Sequence, residues 1–69
     1  MKLIDHTFRE VIGEMEYIPF HVNDKFRIPL KDKQRYFIVT GHDDYGNIIV
    51  FELNRDQYYA GMEIKDLLF

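Results

Sequence analysis

The chain has 69 residues, the length of one small domain spanning 1–69, and a chain this short buries only about 60% of the surface it exposes when unfolded. It contains no cysteine, which excludes disulfide staples and thiolate metal sites, and its longest apolar run, Ile48 to Phe51, is far below the ~20 residues of a membrane-crossing helix. Twelve acidic against nine basic residues leave a net charge of −3, which gives no general attraction to nucleic acid.

The opening MKLIDHTFRE lacks the long apolar stretch of a secretory signal, so the expectation is a cytoplasmic protein with no membrane partner. Within it, Phe8, Val11, Ile12 and Met15 follow helical spacing from Asp5 to Met15, with Ile4 one turn earlier. Thr7 and Glu10 fit a capping box, with Asp5 as a rival cap, whereas Gly13 weakens a helix by about 1 kcal/mol relative to alanine. An N-terminal helix over this segment is the expectation. Pro19 stops it, and Tyr17 to Val22 reads as an extended edge strand.

Phe26, Ile28 and Leu30 alternate with Lys25, Arg27 and Pro29, the pattern of a strand with one wet face. A three-residue loop, Asn23-Asp24-Lys25, sets Val22 opposite Phe26, Phe20 opposite Ile28 and Ile18 opposite Leu30. That apolar match predicts a first hairpin. A second hairpin runs through RYFIVTGHDDYGNIIVFEL, with Asp43 opening a type I turn and Gly46 at its left-handed position. In this register Asp43 pairs with Asn47, Gly41 with Ile49, Val39 with Phe51 and Phe37 with Leu53. The opposite face carries Tyr36, Ile38, Ile48 and Val50, and the N-terminal helix is the expected cover.

In NRDQYYAG, Asn54 or Asp56 caps a one-turn helix that Gly61 ends. Met62 to Ile64 reads as a short closing strand, and KDLLF fits either strand or helix. The fold class expected is therefore α+β, an N-terminal helix packed on a small antiparallel meander. The order of VNDKFRI, a long hairpin, a short helical turn and a last strand resembles that of SH3-like small barrels over Val22 to Ile64. The resemblance implies a partly open barrel and no function, since such folds host many activities.

No set of residues makes a convincing reactive site. Aligned on Gly46, a twelve-residue calcium loop would place Asp43 and Glu52 at ligand positions, but Gly41 and Tyr45 where carboxylates are required. His6, His21 and His42 lack the closely spaced pair that anchors zinc. His42 beside Asp43 and Asp44 has no serine or cysteine nucleophile to serve, and only Thr7 and Thr40 carry hydroxyls besides tyrosine. Gly41 and Gly46 lack the lysine and helix of a phosphate loop. No enzyme activity and no cofactor or metal are expected.

Two recognition surfaces remain. Tyr58, Tyr59, Leu67, Leu68 and Phe69 form an apolar group suited to a protein partner or a second copy of the chain. The competing expectation is that they close the domain's own core. The stretch KFRIPLKDKQRYF interleaves Lys25, Arg27, Lys31, Lys33 and Arg35 with aromatic rings, Tyr36 among them, as single-strand nucleic-acid binders do. The leading expectation is a non-enzymatic module that binds a protein or itself, and nucleic-acid binding is the alternative.

Overall fold

The structure, a computed structural model, describes residues 1–67. It is mostly β, with 42% of the described residues in strands and 13% helical. The strands are β1 (Lys2–Asp5), β2 (Val11–Glu14), β3 (Lys25–Pro29), β4 (Gln34–His42) and β5 (Ile48–Leu53), followed by two short helices, α1 (Arg55–Tyr59) and α2 (Ile64–Leu67). They form one curved sheet, a half-barrel in the order β2-β1-β5-β4-β3, in which β1 runs parallel to β5 and every other pair is antiparallel.

The expected N-terminal helix is a hairpin instead. Asp5 Oδ2 accepts from the amides of Thr7 and Phe8, and the backbones of Asp5 and Glu10 bond across the turn. The helical stripe is split between two surroundings: Phe8 and Val11 stay exposed, while Ile12 and Met15 pack on the core. What wins is β1, which pairs on both sides and buries Leu3. Gly13, opposite Leu3, leaves that side chain room, with Leu3 Cδ1 3.4 Å from where a Cβ would stand.

The expected strand at Tyr17–Val22 is also absent. Residues 15–24 form an irregular loop, pinned by the Asn23 amide on Val39 O and by Ile64 N on Asn23 Oδ1, with Phe20 stacked on Phe26 at 4.7 Å. β3 pairs with β4 alone, so the first hairpin turns at Lys31-Asp32 rather than at Asn23. Met62 and Glu63 lie outside any strand and lead into α2. The closing strand of an SH3-like order is replaced by a helix, and the α+β meander gives way to a mixed, β-dominated sheet.

The second hairpin has the expected turn. The Asp43 amide donates to Asn47 O, Gly46 has φ +83°, and Asp43 accepts from the Tyr45 and Asn47 amides and from Asn47 Nδ2. That side-chain bond from Asn47 holds the Asp43 carboxyl below its usual pKa. Gly41 faces Ile49, but a bulge at Thr40 then shifts the ladder by one residue, so Val39 faces Val50 and Phe37 faces Glu52.

The bulge re-sorts the core, because a one-residue slip exchanges the faces of a strand. Ile48 and Val50 join Leu3, Phe37 and Val39 on one face, covered by Met15, Phe20 and Phe26. Tyr36, Ile38 and Leu53 lie on the other with Phe51, covered by Tyr58, Ile64 and Leu67. The sheet is packed on both sides, and the C-terminal helices take the role expected of an N-terminal one.

Candidate functional site

α1 begins on a capping box: Asn54 Oδ1 accepts from the Gln57 amide, and Gln57 Oε1 accepts from the Asn54 amide. It ends where Gly61, at φ +73°, lets the Gly61 and Met62 amides bond back to Tyr58 O and Gln57 O, a Schellman close. These two caps fix a helix too short to persist alone, and so fix the tyrosines on it.

Tyr58 turns inward onto Tyr36, ring centroids 4.9 Å apart, and Tyr59 stands edge-on to Tyr58 at 5.1 Å. Tyr59 is 59% exposed, yet it is held: Arg27 Nη1 donates to its hydroxyl at 3.2 Å, and the Arg55 guanidinium sits 5.7 Å from its ring centroid. Lys25 reaches the same C-terminal segment, its Nζ donating to Met62 O at 2.9 Å. Beside Tyr59, between α1 and the β3–β4 turn, lies an open groove of about 440 Å³ lined by Pro29, Leu30, Asp32, Lys33, Gln34, Tyr36, Arg55 and Tyr59.

The two groups of candidates singled out from the sequence thus meet at one place. Arg27, Lys33 and Tyr36 approach from β3, β4 and their turn, and Tyr59 from α1 with Tyr58 packed behind it, while Lys25 stays at the far end of β3 against Met62. The groups meet because Arg27 lies opposite Tyr36 in the ladder, on the face that the C-terminal helices cover. Leu67 packs into the core beneath α2, and Leu68 and Phe69 lie outside the described residues. Lys31 is exposed at the hairpin tip.

Arg35 departs to the opposite face, where it lies 5.2 Å from the Phe37 ring centroid and makes a bidentate pair with Glu52. The hydrogen bond to Glu52 raises the arginine's pKa and holds the Glu52 carboxyl below its ordinary value. The early cations therefore divide between two faces.

Arg55 and Gln34 were not legible as site residues. The signal for Arg55 lay in its spacing, since residues four apart on a helix share a face, which puts it beside Tyr59.

The remaining candidates take structural roles. His42 Nε2 donates to Phe20 O at 2.8 Å, tying the loop over the core. Thr40 Oγ1 donates to Ile49 O and accepts from His6 Nδ1 at 3.1 Å. His21 lies beside Asp24. Among the described residues no group of histidines and carboxylates is placed to hold a metal ion, and no helix is long and apolar enough to cross a membrane.

Comparison with protein-family models, with curated proteins and with solved structures gives no match.

Proposed function

We propose that this chain is a non-enzymatic binding module that holds an acidic segment of a protein partner in the groove between the β3–β4 turn and α1. The observation that carries this reading is Tyr59, an exposed ring fixed in place by Arg27 and Arg55. An ordered, exposed aromatic beside guanidinium groups is a preformed contact, and preorganisation spares a binding surface part of its entropic cost. Arginine and tyrosine are also the residue types that dominate binding energy at interfaces.

The ligand's charge follows from the groove's. Lys33 and Arg55 outnumber Asp32 among its lining residues, although the whole chain carries −3. Carboxylates spaced along a peptide match such a surface, with the guanidinium as a two-pronged donor. Pro29, Leu30 and Tyr59 supply apolar contact beside it.

Single-stranded nucleic acid is the second reading, supported by the Arg55–Tyr59 pair, since bases stack on aromatics beside cations. It is the weaker one. Stacking platforms use successive rings, and here Tyr36 is only 8% exposed.

The test is a titration against an array of acidic, neutral and basic peptides, with an oligothymidylate in parallel. Acidic peptides should bind the native chain and lose affinity by about tenfold in Arg55→Glu, which is expected to melt normally, and in Tyr59→Ala, which gives up its edge contact with Tyr58 at a cost of about 1 kcal/mol. Binding of the oligonucleotide without the peptides would transfer the groove to the second reading. Binding of neither would end both.

A further inference from the structure

At its two ends the half-barrel stops at edge strands, β2 and β3, each paired on one side only, and we infer that β2 is a strand-acceptor edge for a partner segment of alternating apolar and basic residues.

The two edges differ in how they are protected. At one end of β3 the Leu30 amide donates to Lys33 O, and beyond the other end Asp24 O accepts from the Val39 amide. Leu30 and Asp24 therefore face β4, and by alternation Lys25, Arg27 and Pro29 direct their backbone groups outward. Pro29 has no amide to offer there, and Lys25 and Arg27 put cations along the rim. Proline and charge are the usual means of blunting an edge.

β2 carries no proline and no lysine. Met1 and Met15 exchange backbone bonds at its end, so Glu14, the next residue inward, presents its amide and carbonyl outward. Val11 on the same strand is 58% exposed.

Beside this edge the open side of the half-barrel holds a cleft of about 190 Å³, floored by Leu3, Ile12, Ile28 and Phe37. Gly13 contributes no side chain to fill it. An added strand would turn alternate side chains into this cleft and the others to the opposite face. Glu14 borders the cleft, and its register opposite Lys2, one residue from the Leu3–Gly13 pair, directs its side chain toward the opposite face.

The charge at the rim selects the occupant. Glu10, Glu14 and Glu16 are all exposed along β2 and its flanks, and none forms an ion pair among the described residues. Arg35, at the cleft's other wall, is already committed to Glu52. A second copy offering its own β2 would set these glutamates against each other, and one offering β3 would present the blunted edge. A different chain, apolar on one side of its pleat and basic on the other, satisfies the backbone, the cleft and the carboxylates together. This is recognition by strand addition.

The experiment is an amide NMR titration of the full chain with blocked Lys-Val-Lys-Val-Lys-Val, against blocked Lys-Gly-Lys-Gly-Lys-Gly as a charge-matched control. The valine peptide should shift the Ile12 to Glu14 amides and slow exchange at Glu14, leaving Arg27 unmoved, and the glycine peptide should bind about tenfold more weakly, lacking apolar burial. Glu14→Lys, and more mildly Glu14→Gln, should weaken the valine peptide while leaving the fold's spectrum intact. Equal binding of both peptides, shifts centred on β3, indifference to both Glu14 variants, or a free protein whose β2 amides are already protected in a concentration-dependent dimer would each overturn the inference.

Discussion

Arg35 grips Glu52 through both carboxylate oxygens, Nε to Oε2 at 2.9 Å and Nη2 to Oε1 at 2.7 Å, joining β4 to β5 from the outside. The bond lowers the Glu52 pKa in the folded chain. A carboxyl depressed on folding contributes stability that is complete above its unfolded value and is lost as pH falls through the folded one. Glu52→Gln should therefore melt below the native chain near neutral pH, and the difference should close as pH falls below about 4. The pair is partly exposed, so the gap should not exceed about 1 kcal/mol. Melting curves across the acid range check this, and a gap independent of pH would remove the pair's role.

Gly61→Ala should cost about 1 kcal/mol, because alanine resists the left-handed backbone that Gly61 adopts. The loss should fall locally. Faster amide exchange at Gly61 and Met62, with strand amides unchanged, is the expected pattern.

Leu53→Ala should cost about 2–5 kcal/mol, since the side chain is buried between the sheet and the C-terminal helices. For a domain of this size such a loss consumes much of the total stability. A large drop in the urea midpoint, accompanied by detachment of α1, checks it. An unchanged midpoint would mean that this second core is not a core.

Thr40→Val keeps the size of the bulged residue and removes its hydroxyl, which bridges His6 and Ile49. The expected cost is about 1 kcal/mol. The register should survive, with the Val39–Val50 cross-strand contact still visible by NOE. If Val39 moved opposite Phe51, the hydroxyl would be what sets the bulge.

The turn at Asp43–Asn47 and the helical turn after Asn54 were legible in the sequence, whereas the hairpin loop expected at Asn23-Asp24-Lys25 and the distant pairings were not. The Asp43–Asn47 turn and the cap at Asn54 are written in a few adjacent residues whose chemistry has one good use. β1 is different: KLID has no alternation, and it becomes a strand because Ile48–Val50 offers a parallel partner more than forty positions away. The helical spacing of Phe8, Val11, Ile12 and Met15 gave way to the ladder: Asp5 caps a single turn at Thr7 and Phe8 as it would cap a helix, but β1 gains strand partners on both sides. The bulge at Thr40 left no mark in the apolar pattern, since both faces of β4 are oily. At the candidate site Arg27, Lys33, Tyr36 and Tyr59 were visible, Arg55 was not, and the meeting of these residues was hidden. Tyr59 and Arg27 are joined by the ladder that sets Arg27 opposite Tyr36 and by the cap that fixes α1, and neither alone specifies the contact.

The placement of β1 between β2 and β5 also sets an order of assembly. The β1–β2 hairpin is complete within fifteen residues, but the parallel neighbour of β1 is Ile48–Leu53, and only that strand connects it to the β3–β4 pair. Until the ribosome has delivered β5, the nascent chain holds two separate hairpins, one of them exposing the oily strand Tyr36–Val39. Closing so long a loop raises the kinetic barrier, and the open edge of β4 that awaits β5 is the stretch through which two waiting chains would tangle.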